Sequence, residues 1–220
     1  MRPGKVLGDW ARRPEPQERR PGTRERGDTH VTGYRSIRET EKAVRAKLGG
    51  TPVKYEQMAA VSNIYRAAAA VRQHFENSVL RGAELTWTSF VVLYVVWIWG
   101  EMETRHVAEE AGISKGTLTG VARTLAGRGL LERRGHPDDG RLALLRLTGE
   151  GERLMEKVFP AFNGEEAFVA EGLTDAECRT LADLLRKIVV QTEEKGEERR
   201  VELLDGAEPA PRRSGRRAKG

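Results

Sequence analysis

A chain of 220 residues with a formal net charge of +5 can form one domain with a sizeable core or two small ones, and its basic charge favours an acidic partner such as nucleic acid without requiring one. The single cysteine, Cys178, excludes an internal disulfide. The most apolar run, 90–99, is about half the roughly 20 residues that a membrane helix needs, and no leader-like segment opens the chain. We therefore expect a cytoplasmic protein with no membrane partner.

The two ends of the chain differ in composition from its middle. Residues 1–35 mix arginine, proline, glycine and acids with hardly any apolar periodicity, which predicts a disordered arm. Residues 36–52 predict a marginal helix and a linker, because two glycines and a proline end the helical pattern. Hydrophobic periodicity is concentrated in 53–191, where we expect the main domain. Residues 192–220 are charged, poor in apolar residues and basic at the end, which predicts a disordered tail.

Two long predicted helices open the main domain. Apolar residues recur at three- and four-residue steps over 53–80, which predicts a helix with one apolar stripe. A second helix, capped by Thr86 or Thr88 and ending near Gly100, is apolar nearly all round. The first helix needs a packing partner along its stripe, and the second belongs at the centre of the core.

Two short helices joined by a tight turn follow. The first covers 104–111, and Ser114 opens the second, which is apolar on one side. The other side carries small, polar or basic residues: Ser114, Lys115, Gly116, Thr119, Gly120 and Arg123. Thr117 lies nearer the boundary between the two sides, where its hydroxyl can reach a phosphate. This two-sided character fits a helix that packs on a core and lies in the major groove of DNA. On helix geometry alone, a solvated face of an ordinary helical domain explains it equally well.

A basic β-hairpin comes directly after this helix. Residues 130–134 and 142–147 predict its strands, and the proline, aspartates and glycine of 137–140 predict the connecting loop. Positive charge on or beside the hairpin comes from Arg133, Arg134, His136 and Arg141. A hairpin in this position can press a cation into the minor groove, so the succession of helix and hairpin favours DNA binding.

Two further helices complete the ordered part. One covers 150 to about 162, with an interruption at Pro160, and the other covers 174 to about 191. Thr174 and Glu177 form a capping box at the start of the last helix. The pattern as a whole predicts a mainly α protein with a small β-hairpin.

An ordered set of these residues resembles the MarR family of transcription regulators. The resemblance covers roughly 53–190 and includes Leu85-Thr86-Trp87 before the second helix. It continues through the segment 113–119 and through Gly129-Leu130-Leu131. The wing pattern, Asp-x-Arg followed by Leu-Thr-x-x-Gly, is matched at Asp139, Arg141, Leu147, Thr148 and Gly151. The ordered set is far more specific than any single piece.

The resemblance implies a fold and a function. The fold is a winged helix-turn-helix flanked by dimerisation helices, in a homodimer whose first and last helices interlock. Arg141 is implied to enter the minor groove while Asp139 orients a neighbouring arginine. We expect a sequence-specific regulator that binds duplex DNA at a pseudo-palindromic operator, as a repressor. The alternative is a winged-helix module that binds proteins and has no sequence-specific DNA binding.

The remaining candidate residues leave alternatives open. His74, Trp97 and Trp99 are either core residues or, following the family resemblance, the lining of a pocket for a small aromatic effector; core is the preferred interpretation except for Trp99. Cys178 is interpreted as a structural or surface thiol. The sequence has no phosphate-cradling loop, no nucleophile elbow and no pair of metal ligands, so we expect no enzymatic activity, cofactor or metal.

Overall fold

The computed structural model describes residues 36–135, 137, 139 and 142–204, and these residues form helices and three short strands. The helices are α1 (Ile37–Lys47), α2 (Tyr55–Asn77), α3 (Val79–Gly82), α4 (Trp87–Trp99), α5 (Thr104–Glu110), α6 (Lys115–Gly127), α7 (Gly149–Val169) and α8 (Asp175–Leu203). The strands are β1 (Met102–Glu103), β2 (Leu131–Gly135) and β3 (Ala143–Leu147). The predicted mainly α class with a small β-hairpin is confirmed. No single helix within the described part of the chain is long and apolar enough to cross a membrane.

The chain divides into two compact units, and the first, 1–66, is described from Ser36 onward. It holds α1 and the start of α2. Ser36 and Glu39 form a reciprocal capping box at the beginning of α1. Two hydrogen bonds tie α1 and its exit to α2, from Asn63 to Glu41 at 3.0 Å and from the Tyr55 hydroxyl to the Leu48 carbonyl at 2.8 Å. A helix this short is marginal alone in water, so these contacts help to hold it.

The second unit, 67–220, is described to residue 204 and has α4 in its core. Thr86 is the N-cap of α4, and its side chain accepts a hydrogen bond from the Ser89 amide at 3.1 Å. Buried residues of α4 lie in one core cluster with buried residues of α5, α6 and α7: Val92, Leu93, Val96, Val107, Leu118, Leu125, Met155 and Phe162. The predicted central place of the second helix is confirmed.

The three strands form an antiparallel sheet in the order β1-β3-β2. Leu131 lies opposite Leu147 and Arg133 lies opposite Leu145, so one face of the hairpin carries buried leucines. The two-residue strand β1 pairs with β3 through Met102 and Glu103. It is absent from the sequence prediction because two residues are too few to show an alternating pattern.

The helix α7 continues through Pro160 to Val169, so the predicted interruption at Pro160 is wrong. Proline has no amide hydrogen, so the carbonyl of Glu156 lacks the helical hydrogen bond that residue 160 would otherwise donate to it. Pro160 is exposed, where water can bind that carbonyl, while Val158 and Phe162 on either side are buried. Packing of these two neighbours on the core therefore keeps the helix continuous.

The helix α8 continues to Leu203, although the sequence predicts a disordered tail from residue 192. Ion pairs at i,i+3 spacing line this extension: Lys195–Glu198 at 3.8 Å, Arg199–Glu202 at 2.6 Å and Arg200–Glu197. Pairs of opposite charge at this spacing favour the helical conformation. The tail prediction is wrong for 192–203, while 205–220 and the predicted arm 1–35 lie outside the described residues.

The turn that ends α3 has a residue with a strained backbone conformation. The Glu84 amide donates to the Arg81 carbonyl at 3.1 Å and the Leu85 amide to the Leu80 carbonyl at 2.9 Å, which is a Schellman motif. The residue that adopts the left-handed conformation there is Glu84, with φ 54. The same position after α5 is Gly112, with φ 62. Glycine fits this conformation without strain, whereas a residue with a Cβ does not.

We expect Glu84→Gly to raise the free energy of unfolding by about 0.5–1 kcal/mol. The left-handed conformation costs an L-residue about 1–2 kcal/mol, which exceeds the roughly 0.4–1 kcal/mol that a glycine adds to the entropy of the unfolded chain. Urea denaturation measures the effect as a higher midpoint at unchanged slope. Gly112→Ala is the matched control and should lower the midpoint; equal midpoints for both variants would contradict the strain.

Candidate nucleic-acid interface

The helix α6 is fixed at its start and along one side. The Ser114 side chain accepts a hydrogen bond from the Thr117 amide at 3.1 Å, and the two hydroxyl groups lie 2.8 Å apart. Leu118 and Leu125 are buried on the inner side. The Thr119 hydroxyl donates to the Lys115 carbonyl at 2.8 Å. The hydroxyls of Thr117 and Thr119 therefore both have hydrogen-bond partners within the protein.

The outer side of α6 is open to solvent. Every residue that the sequence predicts on this face is exposed, and so is Thr117 nearer the boundary: Ser114, Lys115, Gly116, Thr117, Thr119, Gly120 and Arg123. A Cβ built at Gly120 would meet no heavy atom within 4 Å. Packing within this chain therefore does not require a glycine at position 120.

A groove of about 490 Å³ lies between α6 and the hairpin. Its basic lining residues come from three elements: Arg105 of α5, Lys115 and Arg123 of α6, and Arg133 of β2. Arg105 forms an ion pair with Glu103 at 2.8 Å. Lys115, Arg123 and Arg133 have no carboxylate partner among the described residues. Two carboxylates, those of Glu103 and Glu132, also line the groove, and both are paired with arginines. The unpaired positive charge of the groove therefore comes from the other three cations.

The hairpin also carries a charge cluster that the sequence does not indicate. Glu132 lies opposite Arg146 across the strands, accepts a hydrogen bond from it, and forms an ion pair with Arg134 at 3.2 Å. The hydrogen bond from Arg146, with the charge of Arg134, lowers the pKa of the Glu132 carboxyl below its usual value. Arg134 therefore has an ionised partner at neutral pH. This cluster follows from the strand register, which the sequence alone does not fix.

The tip of the hairpin is described only in part. Asp139 is exposed, and its carbonyl accepts a hydrogen bond from the Leu142 amide at 2.9 Å. His136 and Arg141, both predicted as wing residues, lie outside the described residues. The structure thus brings Arg133 beside α6, while the predicted roles of Asp139, His136 and Arg141 stay predictions.

The three residues of the predicted effector pocket have different surroundings. The His74 ring lies 2.6 Å from the Glu165 carboxylate and stacks on Phe168 with ring centroids 5.3 Å apart. Trp97 is partly buried and packs on Phe159 at 5.3 Å. Trp99 is 67% exposed. An effector pocket at these residues stays a prediction.

The remaining candidates concern metal and thiol chemistry. Cys178 is half-buried in α8. No group of three or more His, Cys, Asp or Glu side chains in the described part of the chain is arranged to hold a metal ion.

Comparison with known proteins agrees with this geometry. Residues 85–142 match the model of the MarR family. The HTH-type transcriptional regulator YwaE of Bacillus subtilis (strain 168) is 34% identical over 158 residues, which are 70% of this chain and 92% of YwaE. The matched family segment begins just before α4 and ends at the start of the second hairpin strand, so it contains the helix-turn-helix.

Two solved structures have the same fold. BpsR of Bordetella bronchiseptica, whose DNA binding is regulated by 6-hydroxynicotinic acid, is similar with a TM-score of 0.55 and 29% identity over 59% of this chain and 98% of its own. A mutant MarR from E. coli in complex with operator DNA is similar with a TM-score of 0.56 over 60% of this chain and 95% of its own. At 23% identity, the second likeness shows the fold alone.

YwaE is an HTH-type transcriptional regulator, and BpsR is a DNA-binding protein. The similarity to YwaE extends over nearly the whole of that protein, and the family model matches the segment that carries α6 and β2. The chain therefore belongs to the MarR family of winged helix-turn-helix transcription regulators.

Proposed function

We propose that this chain is a homodimeric repressor that binds a pseudo-palindromic DNA operator through α6 and the β2–β3 hairpin. The observation that carries the proposal is the groove in which Lys115, Arg123 and Arg133 lie together without carboxylate partners among the described residues. Cations that a protein leaves unpaired beside an exposed recognition helix are suited to DNA phosphates and base edges.

The residues of α6 have different roles in this proposal. Arg123 reaches guanine or a phosphate, and Thr119 meets base edges or a thymine methyl group. Gly116 and Gly120 let the helix lie close to the DNA. In the wing, the family resemblance assigns the minor-groove contact to Arg141 and a positioning role to Asp139.

A second copy of the chain is the proposed partner of α8. No residue of this helix is buried, and an apolar stripe on it is between 37% and 53% exposed: Leu181, Leu184, Leu185, Ile188 and Val189. Monomeric proteins rarely expose a contiguous apolar patch of this kind. A two-fold dimer would cover the stripe and would present two copies of α6 to two halves of a palindrome.

A small aromatic effector is the proposed regulator. The supporting observations are the regulation of BpsR by 6-hydroxynicotinic acid and the exposed ring of Trp99 in this chain. Trp97 and His74 are the other proposed contacts. An effector that lowers DNA affinity must bind the DNA-free form more tightly than the DNA-bound form.

The test of the DNA interface is Gly120→Ala. Since the added Cβ meets no heavy atom within 4 Å beyond the adjoining residues and the backbone of its own helix, and alanine is the better helix former, we expect the variant to be more stable by up to about 1 kcal/mol. If DNA lies close to this face, the methyl group should lower affinity for the operator about tenfold or more, because it displaces the helix and weakens several contacts. Urea denaturation and titration with duplex DNA measure the two effects.

Gly164→Ala on α7 is the matched control, since a Cβ there also meets no heavy atom within 4 Å and the residue is exposed. It should raise stability without changing DNA affinity. The operator is first selected from a random duplex pool by the wild-type protein. Titration at two salt concentrations should show a steep fall of affinity with salt. Absence of any preferred sequence would favour the alternative, a winged-helix module that binds proteins.

A further inference from the structure

Arg128, the C-cap residue of α6, is hydrogen-bonded to the turn between α3 and α4, residues 83–86, which we call the corner. Its Nη1 donates to the Glu84 carbonyl oxygen at 2.6 Å, and its Nη2 donates to the Ala83 carbonyl oxygen at 3.1 Å. Both carbonyls belong to the turn in which Glu84 has its left-handed backbone. One planar guanidinium thus spans two successive carbonyl groups, which fixes direction as well as distance.

The two residues after Arg128, Gly129 and Leu130, are hydrogen-bonded to Thr148 at the start of α7. The Thr148 hydroxyl donates to the Gly129 carbonyl at 2.5 Å, and the Thr148 amide donates to the Leu130 carbonyl at 3.1 Å. The same hydroxyl accepts from the Gly151 amide at 3.1 Å and so caps α7. The carboxyl end of α6 therefore bridges the α3–α4 corner and the start of α7.

The corner is itself tied to the end of α2. The Glu76 carboxylate accepts a hydrogen bond from the Trp87 amide at 3.2 Å and pairs with Arg72 at 3.3 Å. These bonds connect the end of α2 to the corner, while α7 is followed along the chain by α8. Residues 128–130, at the carboxyl end of α6, are hydrogen-bonded both to the corner and to the start of α7.

We propose that Arg128 is a positioning residue for DNA recognition, whose bridge to the Ala83 and Glu84 carbonyls sets the tilt of α6. This inference rests on the proposed function, since the tilt of α6 in each subunit fixes the distance between the two recognition helices of a dimer. That distance determines which spacing of operator half-sites the dimer accepts. Loss of the bridge leaves α6 attached to the corner only through packing.

A direct phosphate contact by Arg128 is the competing explanation, because its side chain is exposed. The two roles need different chemistry. A phosphate contact needs one positive charge, which lysine also supplies. The bridge needs two parallel N–H donors in a fixed plane, which arginine has and lysine lacks. Arg128→Lys therefore separates the two roles.

The experiment uses the full-length protein and a set of duplexes. Each duplex carries two copies of the half-site that the wild type selects from a random pool, with centre-to-centre spacing varied in single base-pair steps. The proteins are the wild type, Arg128→Ala, Arg128→Lys and Arg179→Ala. The last variant removes an exposed arginine of α8 and is the control for the loss of one positive charge. We expect Arg128→Ala and Arg128→Lys to lose about tenfold in affinity at the best spacing, because a less restrained α6 matches the two half-sites in only a fraction of the molecules. Both should accept neighbouring spacings more equally than the wild type, with an unchanged salt slope.

Three outcomes would overturn the inference. Full rescue by Arg128→Lys, with a salt slope reduced by about 1 in Arg128→Ala, would assign a phosphate contact. An unchanged spacing profile in both variants would remove the positioning role while the proposed function stands. Failure of the wild type to select any duplex would overturn the proposed function and this role with it. If Arg128→Ala does not fold, Arg128→Lys carries the comparison, and thermal unfolding checks each variant.

Discussion

Gly151→Ala is expected to cost the protein much of its stability. Gly151 is buried in the first turn of α7. A Cβ built there would lie much closer than 3.0 Å to the Leu130 carbonyl oxygen, a distance below which real Cβ atoms essentially never come. It also lies 3.1 Å from the Leu130 carbonyl carbon and 3.2 Å from Leu147 Cδ2. The carbonyl cannot move aside freely, because it accepts the hydrogen bond from the Thr148 amide.

The cost of Gly151→Ala should be about 3 kcal/mol or more, at the upper end of what overpacking costs. That is a large part of the roughly 5–15 kcal/mol by which a domain is stable. Urea or thermal denaturation measures it. Gly149→Ala is the matched control two residues earlier, where the nearest neighbour of a Cβ is the flexible end of Arg153 at 3.5 Å, and it should change stability by less than about 0.5 kcal/mol. Equal unfolding midpoints for the two variants would contradict the close approach.

The close approach at Gly151 gives a physical reason for a motif that the sequence analysis identified only by resemblance. In the Leu-Thr-x-x-Gly pattern, Leu147 is buried beside the hairpin, Thr148 caps α7, and Gly151 lets α7 lie against the Leu130 carbonyl. Each of these roles is a contact within the chain. The pattern therefore marks how the hairpin is joined to α7.

Features that depend on local sequence were predicted correctly. Helix α4 follows from its continuous apolar run and Thr86 cap, and α6 follows from Ser114 and the stripe with Leu118 and Leu125. Caps and periodicity act over three or four residues, so a single sequence contains their signal. The exposed face of α6 follows from the same periodicity.

Features that depend on distant residues were missed. The bridge from Arg128 to Glu84 joins positions 44 residues apart, and neither residue type indicates it. The continuity of α7 through Pro160 depends on the packing of Phe162, whose ring lies 4.2 Å from that of Phe75. The place of Arg133 in the groove depends on the strand register, which the sequence alone does not fix. In each case the feature is determined by contacts between residues distant in sequence, which local propensity does not indicate.

The proposed dimer makes a prediction with an equally large effect, at Leu184. This side chain is 52% exposed on the apolar stripe of α8. We expect Leu184→Glu to dissociate the dimer, because an ionised carboxylate buried without a partner costs several kcal/mol and a two-fold axis doubles that cost. The dissociation constant of the dimer should rise by about 1000-fold or more. Sedimentation equilibrium measures it directly.

Arg179→Glu controls for the added charge, since Arg179 lies about 160° around α8 from Leu181, on the side away from the stripe, at 100° per residue. It should leave the dimer intact. A folded Leu184→Glu monomer should still prefer the half-site sequence, because α6 is unchanged, but it should bind the full operator far more weakly, since each half-site is then occupied separately. A Leu184→Glu protein that remains dimeric would show that another surface joins the subunits. Loss of dimerisation together with unchanged operator affinity would instead show that one subunit suffices for recognition.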